Sequence, residues 1–477
     1  MRISSLILSA AAVFGAVAVG AQAQTLSDAA FVEKGRVIAT AADCMACHTV
    51  PRTGKPFAGG YPIVSPLGTI YSTNITPSKI SGIGDYSEAE FSRAVREGIR
   101  KDGAHLYPAM PYDSYAGITD EDVHALYAYF MHGVDPVDDA AKAQTALPFP
   151  FNLRFSMAFW NLLYARTTPF TPVAGVSDDI NRGAYLVNVL GHCTSCHTPR
   201  NVLMGAIQSE ALAGGFVGPW YAPNITSDPV SGIGGWTQDE LVAYLRTGHA
   251  KGKNQAAGGM AEAVQNSLQY LSESDLVAIA AYLRNTTPVR DKNEVRAAYD
   301  FGSPHSDEGG IRGAYAPTAH DSLTSGTVLY SGYCASCHQP SGAGSDDQAY
   351  PSLFHNTATG SIQPANLVAA ILYGVDREVD GKEVLMPGFG KQSFVTPLTD
   401  QQIADLSNYV LQNFGDPQAK VTPGDVAIAR AGGPKPILAA VQPFILPASI
   451  GAAIVVILIA MGWIVGRRRR HAAPMPS

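Results

Sequence analysis

Cys44-Met45-Ala46-Cys47-His48, Cys193-Thr194-Ser195-Cys196-His197 and Cys334-Ala335-Ser336-Cys337-His338 together use all six cysteines of the 477-residue chain. In a C-x-x-C-H run two thiols stand three positions apart on a turn of helix, where each can add to one vinyl group of a haem ring. The histidine that follows presents a ring nitrogen to the iron. A C-x-x-C pair alone also fits a thioredoxin-like redox pair, a zinc knuckle or a disulfide in an exported protein. None of these explains a histidine directly after the second cysteine in all three runs. The expectation is three haems c, attached through Cys44, Cys47, Cys193, Cys196, Cys334 and Cys337, with His48, His197 and His338 as axial ligands.

An iron with one protein ligand is open to substrate, so the second axial ligand decides between carrier and catalyst. Candidates lie downstream of each attachment run. They are Met110 in Tyr107-Pro108-Ala109-Met110-Pro111-Tyr112, Met260 after Gly258-Gly259, and Met386 in Leu385-Met386-Pro387-Gly388-Phe389. Prolines stiffen the loops of Met110 and Met386; Met260 has none, and His249 competes with it. His105 and His355 read as ordinary surface or hydrogen-bonded histidines. Thr198-Pro199-Arg200 offers a carbonyl for the His197 ring and a cation for a haem propionate, with a solvated loop as the equal alternative for Arg200. Histidine and methionine at every iron leave no position for substrate, which points to electron transfer without a catalytic residue of the chain's own.

The surroundings of the three runs repeat. Lys34-Gly35-Arg36, Arg182-Gly183 and Gly326 each open a short amphipathic helix that delivers a motif. Tyr71-Ser72-Thr73-Asn74-Ile75-Thr76 and Ser81-Gly82-Ile83-Gly84 return as Tyr221-Ala222-Pro223-Asn224-Ile225-Thr226 and Ser231-Gly232-Ile233-Gly234. Each unit closes on a capped apolar helix, after Thr119-Asp120-Glu121-Asp122, Ser272-Glu273-Ser274-Asp275 and Thr399-Asp400. Tyr129, Tyr282 and Tyr409 sit where such a helix would cross the first one. The fold class expected is mainly α, with three tandem cytochrome c-type haem domains and one C-terminal transmembrane helix. The boundaries are 24–134, 173–285 and 322–414 for the domains, with 135–172 as a connector that wraps over a neighbour and 286–321 and 415–443 as linkers.

Both ends set the compartment. Arg2, the apolar run Leu6 to Val19 and Ala21-Gln22-Ala23 read as a signal peptide over 1–23. Phe444 to Val465 is uncharged and long enough to span a bilayer, and Arg467 to Arg470 after it favour a cytoplasmic tail over 466–477. A net charge of −7 with no basic stripe disfavours nucleic acid as a partner. No G-x-G-x-x-G follows a strand to hold a flavin or nicotinamide.

Signal, three C-x-x-C-H modules and anchor together resemble the cytochrome c subunits of membrane-bound periplasmic sugar and alcohol dehydrogenases. The stretch Gly68 to Tyr112 is similar to that family, through Ile70-Tyr71-Ser72-Thr73-Asn74-Ile75-Thr76 and Leu106-Tyr107-Pro108-Ala109-Met110-Pro111-Tyr112. Leu147-Pro148-Phe149-Pro150-Phe151, Ser267-Leu268-Gln269-Tyr270-Leu271 and Ile371-Leu372-Tyr373-Gly374-Val375-Asp376-Arg377 resemble its fructose, sorbitol and gluconate dehydrogenase branch. The quinoprotein alcohol dehydrogenase subunits are similar but, as the family pattern goes, lack so clear a terminal span. The resemblance implies a separate catalytic dehydrogenase subunit, FAD type ahead of PQQ type, a small accessory subunit, and ubiquinone as acceptor. It places the chain on the periplasmic face of the inner membrane, single-pass, with the C-terminus cytoplasmic. It also carries the family's axial methionines onto Met110, Met260 and Met386. Competing readings are a free-standing carrier feeding a terminal oxidase, and an enzyme acting at an open haem.

Overall fold

The computed structural model describes residues 29–139, 143–165, 168–313 and 323–471. The expected signal peptide 1–23 and residues 472–477 of the expected tail lie outside them.

Three helix crossings organise the chain. The helix over 29–41 meets Asp120–His132, Asp178–Tyr185 meets Glu273–Arg284, and Gly326–Tyr333 meets Asp400–Phe414. Each crossing turns on a glycine. A Cβ at Gly35 would stand 2.0 Å from the Ala125 carbonyl oxygen and 2.6 Å from Tyr129 Cβ; at Gly183 it would stand 2.0 Å from the Ala278 oxygen and 2.6 Å from Tyr282 Cβ. At Gly326 the same approach is 2.4 Å to the Asp405 oxygen and 2.7 Å to Tyr409 Cβ. The tyrosines singled out in the sequence therefore lie at the crossings, and only glycine lets the backbones come so close. Thr119, Ser272 and Thr399 cap the three closing helices by accepting from Asp122, Asp275 and Gln402 N–H groups, as their sequences predict.

The core follows from these helices. One continuous apolar cluster runs from Ile38 through Leu126, Leu186 and Leu276 to Tyr299, so the first two units share an interior. A second cluster surrounds Leu329, Leu406 and Phe414, and a small patch of Ala256, Val264 and Val379 joins the two regions. The described strands pair as four antiparallel hairpins, which the sequence reading does not anticipate. One of them, Val375–Val379 with Lys382–Met386, places Met386 opposite Val375.

Three expected segments differ. The linker 415–443 is not free chain: Pro423–Arg430 is helical, Val426 is fully buried, and Asn408 exchanges hydrogen bonds with Val421. Its apolar residues Ala419, Val421, Val426 and Ala429 complete the second core. The linker 286–321 packs at Ala297 and Tyr299, where Lys253 Nζ stands 3.8 Å above the Tyr299 ring; residues 314–321 lie outside the described chain. The C-terminal helix runs Ile437–His471 rather than 444–465, because Ile437 to Val441 is itself apolar and continues the pattern. Its stretch Ile437–Val465 is 29 residues long, its most apolar 18-residue window has a mean hydropathy of 2.6 with none of it buried, and it is long and apolar enough to cross a membrane.

Gly183→Ala is expected to destabilise the haem-loaded chain by about 1–3 kcal/mol through overpacking, read as a fall in Tm. Gly424→Ala, whose Cβ would meet only Thr422 Oγ1 at 3.5 Å, should leave Tm unchanged or slightly raised.

Candidate functional site

Each C-x-x-C-H run forms the helical turn its spacing predicts, at Cys44–His48, Thr194–His197 and Ala335–His338. None of the six cysteines is joined to another in a disulfide. Burial pushes the Cys44, Cys47, Cys193 and Cys334 thiols up to about 12.

The three histidines share one geometry. His48 Nδ1 lies 2.7 Å from the Thr73 carbonyl oxygen, His197 Nδ1 2.7 Å from that of Pro223, and His338 Nδ1 2.9 Å from that of Pro351. With the Nδ1 proton donated to a carbonyl, the tautomer is fixed and the Nε2 lone pair is left for a metal. Burial pulls all three imidazoles below their ordinary pKa, which favours the neutral ring that a ligand must be. Each histidine's own carbonyl accepts from a glycine N–H, Gly59 and Gly214 at 2.8 Å and Gly344 at 2.9 Å. All three glycines have positive φ, 73°, 98° and 67°, a backbone that a side chain would disfavour. An imidazole oriented through its Nδ1, beside two cysteines on one turn, fits a covalently attached haem at each run.

The loops behind the first two carbonyls explain the repeated Asn-Ile-Thr. Asn74 Nδ2 donates to the Val137 carbonyl at 2.7 Å, while its Oδ1 accepts from Thr76 N–H at 2.8 Å and Thr76 Oγ1 at 2.7 Å. Asn224 does the same with Val289 and Thr226 at 2.7, 2.8 and 2.7 Å. The carbonyl that receives the imidazole belongs to the residue just before each asparagine. The third unit holds Pro351 differently, through Ser352 N–H on Gln348 Oε1 at 2.9 Å and Asn356 Nδ2 on the Ser352 carbonyl at 3.1 Å. Sequence reading found the repeat but assigned it no role.

The carbonyl expected from Thr198-Pro199-Arg200 comes from Pro223 instead. Thr198 leaves the turn in extended conformation, and Arg200 folds back to donate to the Ser195 and Met204 carbonyls at 2.7 and 3.3 Å. Among the rival histidines, His249 Nδ1 is engaged by Gln255 Oε1 at 2.7 Å and His355 Nδ1 by the Tyr299 carbonyl at 3.1 Å.

The methionines occupy three different elements. Met110 lies in a tight loop with its N–H on the Tyr107 carbonyl, Met260 in the first turn of Gly258–Asn266, and Met386 at the end of its strand. Met110 and Met260 border the same core as Cys44 and Cys193, all four partly buried. The first two attachment runs are themselves neighbours. Tyr115 donates to the Ala42 carbonyl at 2.6 Å and packs edge-on at 5.6 Å against His192, whose imidazole burial pulls down to about 4. The helix Gly258–Asn266 packs on Cys44–His48, and its Glu262 is 3.4 Å from Tyr61 OH.

The chain is similar to known proteins along most of its length. The cytochrome c family model matches residues 32–133 and 323–414. The chain is 48% identical over 455 residues to the fructose dehydrogenase cytochrome subunit of Gluconobacter japonicus, covering 93% of this chain and 92% of that one. It is 39% identical over 436 residues to the gluconate 2-dehydrogenase cytochrome c subunit of Pantoea cypripedii, covering 88% and 94%. The same identity over 436 residues relates it to the cytochrome c subunit of the quinone alcohol dehydrogenase of Gluconacetobacter polyoxogenes, with 89% of each chain covered.

Asn224→Ala should strand the Val289 carbonyl and the Thr226 N–H, costing about 1–3 kcal/mol, seen as a lower Tm. Asp228, on the same loop, is buried and accepts from Arg290 Nε at 2.6 Å and from the Val230 and Ser231 N–H groups at 2.9 and 2.8 Å. Burial pushes its carboxyl up, but Arg290 and the two N–H groups outweigh that and hold it below its ordinary 3.8. A depressed folded pKa contributes stability above the unfolded value and loses it as pH falls through the folded one. The acid limb of the stability curve below about pH 3.8 should therefore flatten in Asp228→Asn.

Proposed function

The chain belongs to the family of cytochrome c subunits of dehydrogenase complexes, electron-transfer subunits without a catalytic site of their own; from that premise we propose that it carries three haems c in three modules, 24–134, 173–285 and 322–414, and passes electrons from a catalytic dehydrogenase subunit to membrane ubiquinone. The observation that carries this reading is the threefold imidazole, with Nδ1 on a carbonyl and a C-x-x-C turn beside it. Haem supplies reversible one-electron chemistry. The chain's own part is to hold and tune it. Cys44 with Cys47, Cys193 with Cys196 and Cys334 with Cys337 would hold the rings; His48, His197 and His338 would each offer an imidazole nitrogen to an iron, and Met110, Met260 and Met386 a sulfur. A sulfur ligand there raises the potential and excludes substrate and water from the metal. The shared core of the first two units supports direct exchange between them, because two sites fixed in one packed interior keep a constant separation.

The helix Ile437–Val465 is the membrane span, with a periplasmic body and a cytoplasmic C-terminus, supported by its apolar length and by Arg467 to Arg470 after it. Gln442 Nε2 donates to the Phe149 carbonyl at 3.0 Å, so the connector is tied to the start of this helix. That connector also exposes Phe155, Phe159 and Leu162, side chains suited to a lipid surface. The catalytic partner is a flavin-dependent sugar or sugar-acid dehydrogenase with a small accessory subunit. The higher identity to the fructose dehydrogenase subunit than to the quinone alcohol dehydrogenase subunit supports the flavin type over PQQ.

Purification from native membranes in mild detergent should yield three covalent haems per chain, by absorbance and intact mass, together with a flavoprotein that reduces them when given its sugar. A quinoprotein partner would move the chain to the alcohol branch. Recovery of the chain with no dehydrogenase attached would overturn the relay reading.

A further inference from the structure

Arg377 is the largest fully buried side chain of the described residues, 1% exposed. Removing a guanidinium from water is costly unless an anion or a full set of acceptors replaces the hydration. Arg377 has neither. Nη1 donates to the Ala256 carbonyl at 2.6 Å, and Nε is buried with no partner. Its strand neighbours Asp376 and Glu378 are exposed on the opposite face, and Asp376 is paired with Arg52. The surroundings belong to another unit: a Cβ on Gly248 would stand 2.7 Å from Arg377 Cζ, and Tyr244 and His249 feel its charge. All of these lie between His197 and Met260. The hairpin register, Val375 opposite Met386 and Arg377 opposite Val384, puts Arg377 on the same face as Met386.

Resting on the reading that His197 and Met260 enclose a haem, we propose that Arg377, delivered by the third unit, is the counter-charge for a propionate of the haem on the second. A guanidinium offers five donors in a planar fork that matches a carboxylate. The arrangement makes the second site complete only when the third unit is docked. A fixed buried cation also favours the reduced, less positive iron and so raises that haem's potential.

The test is a spectroelectrochemical titration of the full detergent-solubilised chain, alongside Arg377→Gln and Arg377→Lys. Arg377→Gln should lower one of three midpoints by at least a tenfold change in the reduced-to-oxidised ratio at fixed potential, about 59 mV for one electron. Arg377→Lys should recover part of it, and the displaced midpoint should be the one that Met260→His also displaces. Three haems with unchanged midpoints in Arg377→Gln would overturn the proposal. Fewer than three haems in the unsubstituted chain would instead remove the reading beneath it. Should Arg377→Gln fail to accumulate, redox-difference infrared spectra of the unsubstituted protein decide the point: a propionate band that moves on 15N-arginine labelling supports the pairing, and one that does not overturns it.

Discussion

A neutral imidazole whose Nδ1 proton is committed to a backbone carbonyl sets the requirement around which the rest of this chain is arranged. That carbonyl must come from a loop distant in sequence, 25 residues on for His48, 26 for His197 and 13 for His338. Such a loop holds its position only if its own polar groups are satisfied. Asn74 and Asn224 meet that need by bonding both forward within the loop and outward to Val137 and Val289, beyond the closing helices. The closing helices in turn keep their place through the glycine crossings, where backbone rather than side chains sets the spacing. Ring orientation, loop, helix and crossing form one chain of dependence.

Much of this was legible in the sequence because the chemistry is local. Five residues suffice to write an attachment turn, and Thr119, Ser272 and Thr399 announce their helices through a single side-chain bond each. The Asn-Ile-Thr repeat was equally visible, but its meaning depends on a carbonyl's direction, which the residue type does not encode. The same holds for Pro223. Any of several carbonyls near His197 could have accepted its proton, and adjacency in sequence favoured the wrong one. Segments such as 415–443 misled for another reason: proline and glycine near both ends signal a linker, while Val421, Val426 and Ala429 bury themselves only because the second core leaves room for them.

Contacts between units are the least legible layer, since they join residues with no periodic relation. Asn366 holds both the N–H and the carbonyl of Tyr221, at 2.9 and 2.8 Å. Gln265 and Gln269 accept from the Glu378 and Asp380 N–H groups at 2.9 and 3.1 Å. Thr357 N–H meets the Lys253 carbonyl at 2.8 Å. Nearly all of these are side chain to backbone, specific in direction and modest in energy. They fix orientation more than they add stability.

Fixed orientation is what an electron relay requires from its protein. Transfer between two centres needs no bond made or broken, so the useful work of the polypeptide is to hold separation constant and to keep the reorganisation of surrounding dipoles small. A close-packed interior does both, because its side chains cannot swing to follow a change in charge. The first two C-x-x-C-H runs are held by a common core, with Tyr115 and His192 packed between them. The third is joined by a small apolar patch together with directional hydrogen bonds and one buried arginine, so polar geometry does more of the positioning there than between the other two. The two modes differ in consequence: an apolar core tolerates repacking, whereas a polar junction around a buried charge is specific in direction and costly to rearrange.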